Sequence, residues 1–176
     1  MSELKLIHPT KAYEKQVMDY KTEMLENGDR FDGCAGLENV ANYDEWLNFD
    51  KRLREQYGDD YVPSDVYLAV RIHDNKLIGI MDFRRSLSEF LLNFGGNIGY
   101  SVRSSERRKG YGKQMLRLLL SKCREIGENK VLVCCDKENV ASSKIIIGNG
   151  GVLENEVEDT VGLSNSKIIQ RYWISL

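Results

Sequence analysis

Along the chain, Val66, Leu68, Val70 and Ile72 alternate with Tyr67, Ala69 and Arg71, a period of two that predicts a strand. Asp74-Asn75 supplies a turn and Leu77–Phe83 a returning strand, so residues 66–83 read as a β-hairpin. Gly95-Gly96 leads into a third strand whose Ile98, Tyr100 and Val102 share one face. Between Gly110 and Gly127 the period becomes helical. Leu116, Leu119, Leu120 and Cys123 form an apolar stripe, with Arg117, Ser121, Lys122 and Glu125 outside it. Val131–Cys135 is continuously apolar, as in a strand buried on both faces. Residues 140–149 read as a helix, 151–157 as a strand and 167–174 as a final strand. Upstream, a strand is expected at 3–8 and a helix from Pro9-Thr10 to about Glu26. A Gly-rich irregular stretch follows over 29–42, then a second helix over 43–57 that stops at Gly58. The order is β, α, α, β-hairpin, β, α, β, α, β, β, which predicts an α/β (α+β) domain on a mixed sheet.

Composition bounds what such a domain does. At 176 residues the chain is expected to form one domain spanning 1–176. No apolar run approaches the ~18–20 residues that a membrane span needs. The start, Met-Ser-Glu-Leu-Lys-Leu-Ile, has neither the apolar stretch nor the cleavage site of a signal peptide. Cys34, Cys123, Cys134 and Cys135 show no CxxC spacing, so no disulfide framework and no metal site is expected. A cytoplasmic protein without membrane contact is the simplest reading. The formal net charge of -2 conceals two opposed regions. Residues 26–65 carry eleven acidic and four basic residues, a net -7, whereas 101–124 carry eight basic and one acidic, a net +7. Carboxylates of the first region either solvate helix faces or favour a cationic ligand.

The basic region holds the most informative segment, Arg103–Lys113, reading RSSERRKGYGK. A strand ends, a basic turn follows, and Gly110-Tyr111-Gly112 opens an amphipathic helix. Free N–H groups and the positive end of the dipole make a helix start an anion site, and glycine admits close approach. The segment is not a Walker A loop, because Gly112-Lys113 is followed by Gln114 and Arg107 stands five before Gly112. It is not a dinucleotide fingerprint, because Met115 replaces the third glycine. A nucleic-acid surface is not supported either, since the basic stretch is short and lacks aromatic interleaving. Cys134 and Cys135 read as core thiols, and Tyr172-Trp173 as packing.

Arg107-Arg108-Lys109-Gly110-Tyr111-Gly112 spells R-x-x-G-x-G between a strand and a helix. This resembles motif A of the GNAT superfamily of N-acetyltransferases. Asn139-Val140-Ala141-Ser142, opening the next helix ahead of a glycine pair, resembles its motif B. The combined run GGNIGYSVRSSERRKGYG…CDKENVAS is similar to a bacterial subgroup of acetyltransferases without assigned substrate. The resemblance implies a mostly antiparallel central sheet with helices on both faces. It further implies a V-shaped gap for acetyl-CoA between the 98–102 and 131–135 strands, with no metal. Tyr100, Ser101 and Val102 would hold the pantetheine arm, and Arg107, Arg108, Lys109, Gly110, Tyr111, Gly112 and Lys113 the pyrophosphate. Asn139 and Ser142 would contact the cofactor, although both also suit a helix cap. A backbone N–H near Val102 would stabilise the oxyanion.

The activity so implied is acetyl transfer to a primary amine of a small molecule or peptide by direct attack on the thioester. Residues 1–65 would supply the acceptor side, with Gly28–Gly36 as a lid and Leu87–Gly95 as a further specificity segment, and 66–176 the sheet core. Homodimers occur among such relatives. Two departures stand out. The helix position where many members carry an acidic tyrosine is about Ile146, and the strand before motif A, Asn97–Arg103, has no carboxylate. They leave room for a catalytically silent acyl-CoA-binding module. Asp82 and Tyr172 remain as candidates for acid–base work, with a solvent-facing Asp82 as the alternative.

Overall fold

The computed structural model describes residues 3–55 and 61–176. Its elements follow the expected order: β1 (Leu4–Ile7), α1 (Glu14–Glu26), α2 (Tyr43–Arg54), β2 (Ser64–Arg71), β3 (Leu77–Arg84), β4 (Ile98–Val102), α3 (Tyr111–Glu125), β5 (Lys130–Asp136), α4 (Val140–Ile147), β6 (Gly151–Glu158) and β7 (Ile168–Ser175). The expected stop of the second helix at Gly58 lies outside the described residues, and α2 is described to Arg54. Its start is capped as the sequence allows: Asn42 accepts from the Glu45 N–H, and Asp44 and Glu45 sit at the positive end of the dipole.

The strands form two antiparallel sheets, β1-β2-β3-β4 and β5-β7-β6. The 66–83 hairpin is present, with Val66 opposite Asp82 and Leu68 opposite Ile80. Alternation along β2 and β3 puts side chains on both faces of the first sheet, and each face is covered by helix. On one side Val17, Tyr20 and Met24 of α1 and Trp46 of α2 pack over Val66, Leu68 and Ile80. On the other, Met115, Leu116, Leu119 and Leu120 of α3 join Met81, Phe83, Ile98, Val131 and Val133. These two cores are the main apolar stabilisation of the domain.

One segment differs from expectation. The Gly28–Gly36 stretch is not a free lid. Cys34 and Leu37 are fully buried, and the Trp46 indole donates to the Cys34 carbonyl at 2.8 Å. Gly33 lies so close to β4 that a Cβ there would stand 2.3 Å from the Gly99 carbonyl oxygen. The stretch is a fixed wall, because its few apolar side chains find room in the core between α1 and α2. Residues 91–95, within the Leu87–Gly95 segment, form a π-helical turn. Arg84 holds that turn by donating to the carbonyls of Gly95 and Gly96.

Candidate active site

The two sheets meet at one point and part from it. Asn97 donates its N–H to the Leu132 carbonyl at 2.7 Å and accepts the Leu132 N–H on Oδ1 at 2.8 Å. A single bridge joins Gly96 to Val133. Beyond it, β4 and β5 diverge and border a cleft of about 1420 Å³. That exceeds the roughly 300–1,000 Å³ of an ordinary single-ligand pocket, so there is room for two ligands.

Main-chain groups dominate one end. Gly99 donates its N–H to Asp82 and Arg103 donates to the Ile78 carbonyl, so both amides point at β3. Strand alternation then turns the N–H groups of Tyr100 and Val102 away from β3, toward the open gap. Past β4 the chain turns through Arg108 (φ +62°) and Gly110 (φ +80°), and α3 begins. Both angles are left-handed, which glycine tolerates without strain and arginine does not. No side chain caps α3. Its first amides therefore open toward the cleft, which Tyr111, Gly112 and Lys113 line. Close packing of α3 on α4 depends on Gly112, whose added Cβ would lie 2.7 Å from the Ile145 side chain.

Side chains dominate the other end. Asp82, on β3, is buried rather than solvent-facing, because Gly99 opposite it leaves space that the Gly33 backbone then covers. Its carboxylate pairs with the Arg84 Nε at 3.1 Å and accepts the Gly99 N–H at 2.9 Å. Burial raises its pKa above the usual carboxylate range, against the opposing pull of Arg84 and the Gly99 amide. Asp32 is near enough to push it further up. A buried carboxylate with a raised pKa in a cleft has the properties of a general base.

The predicted residues divide between cleft and framework. Arg108, Gly110, Tyr111, Gly112, Lys113, Asn139, Ser142, Tyr100, Ser101 and Val102 all line the cleft. Arg107 lines it too, but its guanidinium is occupied by the Val102 carbonyl (2.9 Å) and Asp29 (2.7 Å). Lys109 is not among the lining residues; its ammonium donates to Glu106 at 2.8 Å. That buried carboxylate also receives Arg71 and Lys76, and Lys109 and Lys76 hold its pKa down at about 2 despite burial. Asn139 caps α4 by accepting the Ser142 N–H at 3.0 Å. Ser101 faces the N-terminal core, where its hydroxyl meets Tyr20 at 2.7 Å and Cys34 at 3.1 Å. Tyr100 faces the other way and bonds Ser142 Oγ at 2.8 Å, a link from β4 to α4.

Tyr172 stands apart. It does not line the cleft, is buried in the core, and donates to Gln170 at 2.7 Å. Ile146 is fully buried in the same core, so neither side chain offers a proton donor at the gap. Cys135 is buried as a core thiol, but Cys134 is only half-buried, and both border the cleft. Burial pushes their thiols up to about 11 and about 12.

The acidic stretch splits as well. Asp29 and Asp32 reach the cleft, Asp50 is buried, and Asp65 pairs with Arg85 at 2.8 Å. Asp59 and Asp60 lie outside the described residues. The sequence had pointed to no aromatic residue at this end, yet Phe49, Tyr61, Phe90 and Phe94 all line it. Their hydrophobicity next to exposed turns was the only available signal.

A split sheet with a glycine-opened helix start beside the gap defines an α/β domain of the acetyltransferase type. A family model described as "Acetyltransferase (GNAT) domain" matches residues 30–152, and the chain belongs to that family. Solved structures agree on the fold. RimL, a ribosomal L7/L12 alpha-N-protein acetyltransferase in complex with coenzyme A, aligns with a TM-score of 0.74 at 17% identity, covering 100% of this chain and 96% of that one. An acetyltransferase from Salmonella typhimurium that modifies the N-terminal serine of L7/L12 aligns at 0.71 and 15% identity, with coverage of 100% and 96%. The microcin C7 self-immunity acetyltransferase MccE, in complex with acetyl-CoA and AMP, aligns at 0.67 and 16% identity, with coverage of 100% and 94%. No curated protein sequence gives a significant match.

Proposed function

We propose that this chain transfers an acetyl group from acetyl-CoA to a primary amine, with 1–65 contributing the acceptor side and 66–176 the cofactor side. The observation that carries the reading is the uncapped start of α3, open to the gap where β4 and β5 part. Amides of Arg108–Lys113 bind the pyrophosphate, with charge from Arg108 and Lys113. Arg107 instead holds the turn against Val102 and Asp29. The outward N–H of Val102 pairs with a pantetheine carbonyl as in an added strand, which leaves that of Tyr100, nearer Asp82, for the acyl group. Asn139 and Ser142 border that path from α4.

Acetyl-CoA supplies the activated acyl thioester. Asp82 takes the proton that the acceptor ammonium must lose before its lone pair can attack. As the C–N bond forms, the Tyr100 N–H donates to the carbonyl oxygen where negative charge builds; the C–S bond then breaks, and the proton left on the attacking nitrogen passes to the departing coenzyme A sulfur. Alignment of the two ligands in one cleft contributes by removing translational freedom. Relatives solved with coenzyme A or acetyl-CoA support the choice of cofactor.

Calorimetric titration with acetyl-CoA is the first test, and absence of binding would remove the reading. Thiol release with a panel of amines is the second. Ile146, buried where many members place a tyrosine, favours one other reading, a silent acyl-CoA-binding module. Cofactor binding without thiol release from any amine would select it.

A further inference from the structure

The acceptor end has a surface that acetyl transfer to a generic amine does not require. Four aromatic rings border it, drawn from three separate segments. Phe49 of α2 meets Tyr61 edge-on at 5.6 Å, and Phe90 packs against Phe94 at 5.8 Å across the helical turn. The two pairs converge on one piece of floor. Tyr61 lies three residues before Ser64, which is the register partner of Arg84. Arg84 in turn binds the carbonyls of Gly95 and Gly96, fixing the turn that carries Phe94. Asp82, paired with Arg84 and close to Asp32, lines the same cleft as these rings.

The rings are not absorbed by either core. Tyr61 is 53% and Phe90 47% exposed, and neither belongs to the buried clusters. Two exposed and two half-buried rings that line one cleft with a carboxylate form a site for a flat apolar group with a cation next to it. Burying one such ring removes on the order of 150–250 Å² from water. A polyamine would leave the apolar surface of these rings largely unburied and would meet Arg84 and Arg30 among the lining side chains.

We infer that the acceptor of this chain is a primary amine carried within a few bonds of an aromatic ring, with the ring held between the Phe49–Tyr61 and Phe90–Phe94 pairs and the ammonium at Asp82 and Asp32. This rests on the acetyltransferase reading and specifies its substrate class. A free aromatic amine and a peptide beginning with an aromatic residue share that chemistry.

The test uses the full chain saturated with coenzyme A and titrated with phenylalaninamide, alaninamide or spermidine, so that binding is read without turnover. Phenylalaninamide is expected to bind at least tenfold more tightly than alaninamide, and spermidine no more tightly than alaninamide. Phe49→Ala and Phe94→Ala are expected to reduce the preference for phenylalaninamide over alaninamide to about twofold or less. Coenzyme A affinity measured on the same samples reports that they are folded. A hexapeptide with N-terminal phenylalanine separates the sources: binding equal to or tighter than phenylalaninamide selects a peptide, and weaker binding a small molecule. Equal affinities for the three amines would overturn the inference, as would a preference untouched by both substitutions. If coenzyme A itself fails to bind, it is the acetyltransferase reading that fails, and the inference falls with it.

Discussion

The two ends of the cleft are built from different kinds of group. The α3 end works with backbone: left-handed turns at Arg108 and Gly110, an uncapped helix start and the outward amides of Tyr100 and Val102. The opposite end works with side chains, the buried Asp82 paired with a half-buried Arg84, in a cleft also lined by aromatic rings from three segments. Backbone recognition depends on local conformation, so one short segment builds it. Side-chain recognition depends on packing among distant segments and tolerates exchange of its lining without loss of the fold. Within one family the first end suits a ligand common to all members and the second a ligand that differs among them.

Substitutions separate the ends. Asp82→Asn is expected to lower kcat/KM for the acceptor by about 10²–10³-fold, within the usual range for loss of a general base. Acetyl-CoA affinity should stay within about twofold, and an equal loss at both ends would break the division. The intact protein should lose activity as pH falls through a pKa raised above the ordinary carboxylate range, because protonated Asp82 accepts nothing. That acid limb should be absent from the Asp82→Asn pH–rate profile.

Gly33→Ala tests the wall shared by the acceptor end and β4. Both its positive φ and the Gly99 carbonyl oppose a Cβ, and backbone cannot move aside as a side chain would. A loss of about 3 kcal/mol is expected, near 6–12 °C in melting temperature for a chain of this size. Gly110→Ala is gentler, since nothing lies within 4 Å of the added Cβ and only the left-handed conformation is penalised. It should cost ~1 kcal/mol in stability and weaken acetyl-CoA binding severalfold, with acceptor affinity unchanged. Calorimetry on each ligand separately checks this.

The smallest effect concerns Asp50, which does not itself line the cleft. It is buried beside Arg54, and burial raises its pKa to about 6. The folded state therefore holds this proton more tightly than the unfolded chain does. Stability contributed by the group is present at low pH and declines as pH rises from about 4 to about 6. Asp50→Asn should flatten the denaturation midpoint over that window, and an unchanged slope would show that another group dominates.

Much of the fold was legible because its signals are local. The period of two over Val66–Ile72, the helical stripe of Leu116, Leu119, Leu120 and Cys123, and the apolar run at Val131 each need only neighbours along the chain. The motif A resemblance was legible for the same reason, since a left-handed turn and a helix start are written in consecutive residues. The sequence leaves Asp82 open between an acid–base candidate and a solvent-facing residue, because alternation marks the face of a residue but not what covers that face. Its cover is Gly33, about fifty positions away, fitted against Gly99. The Gly28–Gly36 stretch looked free because glycine signals permitted conformations, while Cys34 and Leu37 anchor it through contacts with α1 and α2. Lys109 looked like part of a phosphate site because it sits within the motif, yet its side chain turns to Glu106.

The sequence by itself determined the order of elements, the membership of the α3 turn in an anion-binding geometry, and the apolar faces that become two cores. All of these follow from dihedral preferences and side-chain periodicity within about fifteen residues. Tertiary structure alone decided where β4 and β5 part, that Asp82 is buried beside Arg84, and that two aromatic pairs line one cleft. These depend on which strands pair and in what register, a choice made by burial summed over the whole domain.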